Sequence, residues 1–174
     1  MQVYLLRHGI AEEARPGMSD ADRELTAEGR RKLRETLQVA SQADMQPTLL
    51  LSSPLLRAAQ SAQIAAQALH YKQEILKTNV LLPNSRLERV WDEIRVHRDE
   101  RELLLVGHDP LFSHLTGHLL GAPELQVDFK KGAVLRVDFE SFGPKPRGVL
   151  RWFLTSKLAA QTAKTAPNSR TSGQ

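Results

Sequence analysis

The chain contains no cysteine, so neither disulfide bonds nor thiolate metal sites are available to it. It has no apolar run approaching the ~20 residues of a membrane-spanning helix. The apolar stretch after Met1 is cut at Arg7, too short for a secretory signal. These absences point to a cytoplasmic protein. No stripe of alternating aromatic and basic residues, of the kind that stacks nucleic-acid bases, occurs. The formal net charge is a modest +4. Lys157, Lys164 and Arg170 lie in a C-terminal stretch without any acid, and the remainder is close to neutral. The charge therefore reads as a basic tail on a near-neutral domain, not as a nucleic-acid surface.

A chain of 174 residues is about one domain and can bury a substantial core. Apolar runs of β type alternate with helical patterns. Val3-Tyr4-Leu5-Leu6 opens the chain. Leu33, Leu37 and Ala40 follow Thr26, an expected N-cap, at helical spacing. Thr48-Leu49-Leu50-Leu51 is a short strand. Ser53-Pro54 reads as a cap and first-turn proline, ahead of a stripe through Leu55, Ala58, Ala59, Ala62, Ala65, Ala66 and Leu69. An irregular apolar segment covers 75–82. Ser85 and Glu88 have capping-box spacing before Leu87, Val90, Trp91 and Ile94. Leu103-Leu104-Leu105-Val106 is a strand, and Asp109-Pro110 repeats the cap-then-proline device before a helix that Gly121 ends. Residues 133–139 and 148–155 read as two late strands.

Uniformly apolar strands alternating with amphipathic helices imply an α/β fold in three layers, α/β/α, with a mostly parallel sheet and an antiparallel edge. The domain is expected over 1–156. From about Ser156 the chain lacks an apolar period, and 157–174 is expected as a disordered basic tail after a short helical continuation at most.

In open α/β sheets, ligands bind beyond the carboxyl ends of the strands. Three strand ends here carry polar residues: Arg7-His8-Gly9, Ser52-Ser53 leading to Arg57, and Gly107-His108-Asp109. Arginine binds phosphate through paired hydrogen bonds, and histidine attacks or protonates near neutral pH. Gly9 lacks a Cβ, so the chain can turn sharply and a ligand can come close. Arg57 sits a turn into its helix, and helical side chains lean toward the N-terminus, so its guanidinium can reach back over the strand end. Helix N-termini at Ser53 and Asp109 would add backbone N–H groups. Two arginines and two histidines in one crevice suit a dianionic phosphate.

Arg7-His8-Gly9, the run Ser53-Pro54-Leu55-Leu56-Arg57-Ala58-Ala59-Gln60-Ser61-Ala62 and Val106-Gly107-His108-Asp109-Pro110 resemble the histidine phosphatase superfamily, also called phosphoglycerate-mutase-like. The short chain, Arg7-His8-Gly9-Ile10-Ala11-Glu12 and Arg23-Glu24-Leu25-Thr26-Ala27-Glu28-Gly29 are similar to its SixA-type phosphohistidine phosphatases. The likeness spans about residues 2–155. It implies His8 as a transiently phosphorylated nucleophile, with Arg7, Arg57 and His108 binding the phosphoryl group beside Gly9. No cofactor or metal is implied.

The chain departs from the family pattern at the general acid. Leu81-Leu82-Pro83 is followed by Asn84-Ser85, and the first acid, Glu88, is accounted for as a capping-box partner. Glu12 and Glu13 follow the first loop without a spacing that assigns them. An absent acid suits a leaving group that departs easily, such as the imidazole of phosphohistidine. The expected function is thus a phosphatase acting on phosphohistidine in proteins, as in phosphorelay signalling. A small-molecule phosphomonoesterase and a non-catalytic phosphate-dependent binding module are the alternatives. The expected partner is a phosphorylated protein or small phosphorylated substrate, with neither nucleic acid nor membrane, and the expected state is a monomer. His114 and His118 are four apart, as metal pairs can be, but lack the accompanying glutamate and read as surface or packing residues. His70 and His97 lie near helix ends, where imidazoles commonly meet terminal carbonyls.

Overall fold

The computed structural model describes residues 1–165. Its strands are β1 (Gln2–Arg7), β2 (Leu49–Ser52), β3 (Leu76–Lys77), β4 (Glu102–Gly107), β5 (Val134–Asp138) and β6 (Val149–Leu154). Its helices are α1 (Ala27–Gln42), α2 (Leu56–Ala68), α3 (Leu87–Val96), α4 (Leu111–Leu119) and α5 (Ser156–Thr165). The strands form one mixed sheet in the order β3-β2-β4-β1-β5-β6. β1, β2, β3 and β4 are mutually parallel, and β5 and β6 make the antiparallel side.

The period of two in a strand explains why the apolar runs are continuous. Val3 and Leu5 of β1, with Leu103 and Leu105 of β4, enter a core shared with Val90, Trp91 and Ile94 of α3 and Phe112 and Leu115 of α4. Tyr4, Leu6, Leu104 and Val106 point the other way, into Leu33 and Leu37 of α1 and Ala58, Ala62 and Ala65 of α2. Both faces are covered, so no polar alternation survives. Each fully buried Leu or Val contributes about 1.5–3 kcal/mol.

This layering fixes where a crevice opens. β1 and β4 are neighbours, with Arg7 opposite Gly107. The chain leaving β1 passes to α1 on one face, while the chain leaving β4 passes to α4 on the other. Two adjacent parallel strands whose exits diverge leave a gap beyond their carboxyl ends.

Thr26 caps α1 as expected, its hydroxyl accepting from the Gly29 N–H at 2.9 Å. Gly121, with φ +67°, follows the end of α4. Three other caps differ from the sequence pattern. α2 starts at Leu56, because the Ser53 hydroxyl is drawn to His108. α4 starts at Leu111, because Asp109 instead accepts from the Ser113 hydroxyl. α3 starts at Leu87 without a side-chain cap, because the Ser85 hydroxyl donates to the Asn79 carbonyl. Glu88 is exposed beside Arg86.

The chain past Ser156 also differs from the tail pattern. Residues 157–165 continue α5, which packs on α1. Ala159 is fully buried, and the Ser156 hydroxyl lies 3.2 Å from that of Thr36. A single buried alanine and one hydroxyl leave almost no apolar period to read. The rest of the tail, 166–174, lies outside the described residues.

Candidate active site

His8 follows β1 directly, and its backbone N–H donates to the Gly107 carbonyl at 3.0 Å. Gly132, at φ +75°, closes the other side by donating to the Arg7 and His8 carbonyls. Held between β4 and this loop, the His8 ring is 6% exposed and stands 5.0 Å, centroid to centroid, from that of His108. Arg57 is 5% exposed at the start of α2. The three strand ends thus converge, and Arg7, His8, Arg57 and His108 meet in one place.

Gly9 belongs there for a different reason from the one its sequence context implies. It is not among the glycines of positive φ. A Cβ on it would lie 3.2 Å from the Gly29 carbonyl oxygen, and a Cβ on Gly29 would lie 2.1 Å from that of Ile10. The two glycines let α1 press against the loop after β1. The Gly9 N–H donates to the Ser61 hydroxyl at 3.1 Å, which in turn donates to the Arg57 carbonyl. Gly9 therefore couples the β1 loop to α2.

The hydrogen bonds orient each ring. His8 Nδ1 is 2.7 Å from the Gly9 carbonyl oxygen. A carbonyl only accepts, so Nδ1 carries the proton and Nε2 keeps its lone pair. His108 Nε2 is 2.7 Å from Ser53 Oγ, while Oγ accepts from the Leu55 N–H at 3.4 Å. Ser53 thereby fixes the orientation of the His108 ring through Nε2. His108 Nδ1 is buried with no protein partner. The open Nε2 of His8 therefore stands beside a second imidazole whose Nδ1 is unpartnered.

Both imidazoles are held neutral. His8 is lowered to about 4, first by burial and then by Arg57, Arg7 and Lys131, against the Gly9 hydrogen bond. His108 is lowered to about 3, again chiefly by burial, then by His8 and Arg57. The unfolded chain takes up these protons near 6.5. No stability penalty therefore arises above about pH 6.5, and a growing one arises as pH falls toward 4. An NMR titration of the His8 ring is expected to show a midpoint near 4. A midpoint at 6.5 would contradict the burial.

Arg7 donates to the Phe129 carbonyl, and its Nε is buried without a partner. Arg57 donates from Nη1 to the Asp20 carbonyl at 2.7 Å and from Nη2 to the Asp20 carboxylate at 3.0 Å. Arg23 holds the other carboxylate oxygen at 2.9 Å. Asp20 is therefore kept ionised, first by Arg23 and also by Arg57, and is a poor proton donor. It satisfies the Arg57 fork as an anion does. Asp20 is the residue here that sequence reasoning missed, together with the side-chain contacts of Ser53 and Ser61. Asp20 lies in a polar loop with no informative spacing, whereas Ser53 and Ser61 stand inside the recognised run.

No metal-binding group of three or more His, Asp or Glu occurs among the described residues. His114 is exposed and His118 half-buried on α4. His97 lies at the end of α3 beside Glu93 at 3.5 Å, and His70 follows α2 at φ 55°. No helix among the described residues is long and apolar enough to cross a membrane.

Residues 3–79 match the model of the histidine phosphatase superfamily, branch 1. The chain belongs to the histidine phosphatase superfamily. An uncharacterised protein of Picosynechococcus sp. is 34% identical over 113 residues, 63% of this chain and 67% of that one. The protein histidine phosphatase SixA, solved with tungstate, superposes with a TM-score of 0.80 at 23% identity, covering 90% of this chain and 98% of that one. A protein designated phosphohistidine phosphatase SixA from Agrobacterium tumefaciens gives 0.76 at 26% identity, covering 88% and 97%. The alpha-ribazole phosphatase of Shigella flexneri gives 0.70 at 18%, covering 90% and 97%, and shares the fold. The superfamily is thus one whose neighbours include both protein and small-molecule phosphatases.

Proposed function

We propose that this protein is a metal-independent phosphatase that passes a phosphoryl group to His8 and then to water, and that its substrate is phosphohistidine in a protein. The observation that carries this reading is the His8 ring, neutral, proton on Nδ1, Nε2 open, beside two arginines and the His108 ring. Nε2 attacks phosphorus as the bond to the leaving group breaks, forming a phosphorus–nitrogen bond to His8. Water then attacks the same phosphorus, releasing inorganic phosphate and restoring His8. Arg7, Arg57 and His108 bear the charge on the equatorial oxygens, which is most of what such a transfer requires. Splitting the displacement in two avoids one difficult direct step.

The substrate class rests on the leaving group. An alkyl phosphate must expel an alkoxide unless an acid protonates it. Glu88 is exposed on α3 beside Arg86, Glu12 pairs with Arg15 at 3.8 Å, and Asp20 is held ionised. A phosphohistidine whose other ring nitrogen is protonated leaves as neutral imidazole and needs no donor. Its kcat/KM is expected to exceed that of an alkyl phosphate by about 100-fold, the lower end of what a general acid supplies. Aryl phosphates with acidic phenols should fall between. The named small-molecule phosphatases among the structural neighbours favour the second reading, a phosphomonoesterase. A substrate panel decides: a sugar phosphate or nucleotide turning over fastest would overturn the phosphohistidine assignment. Phosphate binding without turnover of any compound would favour the non-catalytic module.

A further inference from the structure

Beside the phosphate pocket lies a cleft of about 440 Å³, lined by Arg7, Gly9, Lys32, Lys130, Lys131 and Ser156 among others. It runs between α1, the loop before β5 and the start of α5. Four of its lining residues are cations, and no carboxylate lines it among the described residues. A second cavity of about 600 Å³ shares Lys32 and Ser156 with it and extends along Arg31, Glu35, Lys157 and Gln161, with Glu35 paired to Arg31. Each volume alone is in the range that holds a small ligand.

We propose that this basic trench is a docking subsite for an acidic polypeptide segment that flanks the phosphorylated residue. The proposal rests on the phosphohistidine-protein reading and narrows the partner it would have. The placement supports it, because Arg7 and Gly9 belong to both the pocket and the trench. Lys131 is exposed at its rim yet close enough to contribute to keeping His8 neutral. The acids that pair with the trench lysines stay accessible to displacement. Glu28 holds Lys32 at 2.7 Å and Asp128 holds Lys130 at 2.8 Å, their side chains 58% and 74% exposed. A polypeptide is favoured over a small polyanion because the two joined cavities extend along α5 well past what a single phosphorylated small molecule fills. The tertiary structure creates this feature, since α5 supplies one wall.

The test is direct binding of a fluorescent, unphosphorylated decapeptide of glutamate and serine to the full chain, followed by anisotropy at low salt. A serine–glycine decapeptide is the neutral control. The acidic peptide is expected to bind at least ~10-fold more tightly. The Lys32→Gln/Lys130→Gln double variant should lose about 5-fold of that affinity, as removal of exposed charge pairs does. The charge-matched Lys72→Gln/Lys145→Gln variant, altered at exposed lysines outside the trench, should lose less than 2-fold. Equal binding of the two peptides, or equal losses in the two variants, would overturn the proposal. So would tripolyphosphate binding that depends on Lys32 and Lys130 while the peptide does not bind. The assay contains no phosphohistidine, so it fails or succeeds independently of the substrate panel. An enzyme that ignores phosphohistidine yet retains lysine-dependent peptide binding would separate the two.

Discussion

Replacing His8 by alanine is expected to abolish the phosphoenzyme and to lower turnover by about four orders of magnitude or more. The arrangement leaves no second nucleophile in place. His108, the neighbouring ring at 5.0 Å, has its Nε2 engaged by Ser53, whereas Nε2 of His8 is open. Loss of a covalent nucleophile commonly costs this much, because binding and charge stabilisation alone remain. The check is rapid quench with labelled aryl phosphate. Wild type should give an acid-labile, base-stable adduct, and His8→Ala none. A fully active His8→Ala protein would refute the mechanism. His8→Ala is expected to fold, since it removes a ring whose burial disfavours its own charged form.

Arg57→Ala is expected to lower kcat/KM by about 1,000-fold, at the upper end of what losing one preorganised transition-state donor costs. The guanidinium is buried and offers two donors, Nη1 and Nη2, which the Asp20 carbonyl and carboxylate engage. A phosphoryl group must take over this fork, so Arg57→Ala removes both the attraction and the competing carboxylate's anchor. Arg57→Lys should recover little, because an ammonium cannot make the paired contact. Asp20→Asn separates the two roles. It should change KM more than kcat if the carboxylate only competes for the fork. Loss of less than tenfold in Arg57→Ala would show that Arg57 merely holds the Asp20 loop.

Much of this arrangement was legible from the chain alone, for reasons that are local. Arg7, His8 and His108 stop apolar runs of β type, and a residue at the end of a parallel strand has a fixed position relative to its sheet. Arg57 was legible because it falls off the apolar stripe of α2 by one helical position. The antiparallel edge formed by β5 and β6 was legible because the two late strands follow one another with only the turn residues Gly143-Pro144-Lys145-Pro146 and their neighbours between them. The caps were less legible. Ser53 and Asp109 look like caps in sequence, but each side chain has a longer-range or later partner, in His108 or in Ser113. Cap chemistry and site chemistry use the same hydroxyls and carboxylates, and spacing cannot say which bond prevails.

By itself, the sequence determined the order of the main strands and of helices α1 to α4, the three polar strand ends and the absence of a carboxylate where the family pattern places one. These depend on neighbours within a few residues, where backbone geometry leaves little choice. Only the tertiary structure decided how the two histidine rings stand and where His8 carries its proton, because the Gly9 carbonyl and Ser53 hydroxyl orient the rings. It also brought Asp20 onto Arg57 across 37 positions of chain, placed Gly9 against Gly29, and folded α5 onto α1 to wall the basic trench. Such contacts join segments far apart in the chain, and their energies depend on burial and on competing partners. No periodicity records either quantity.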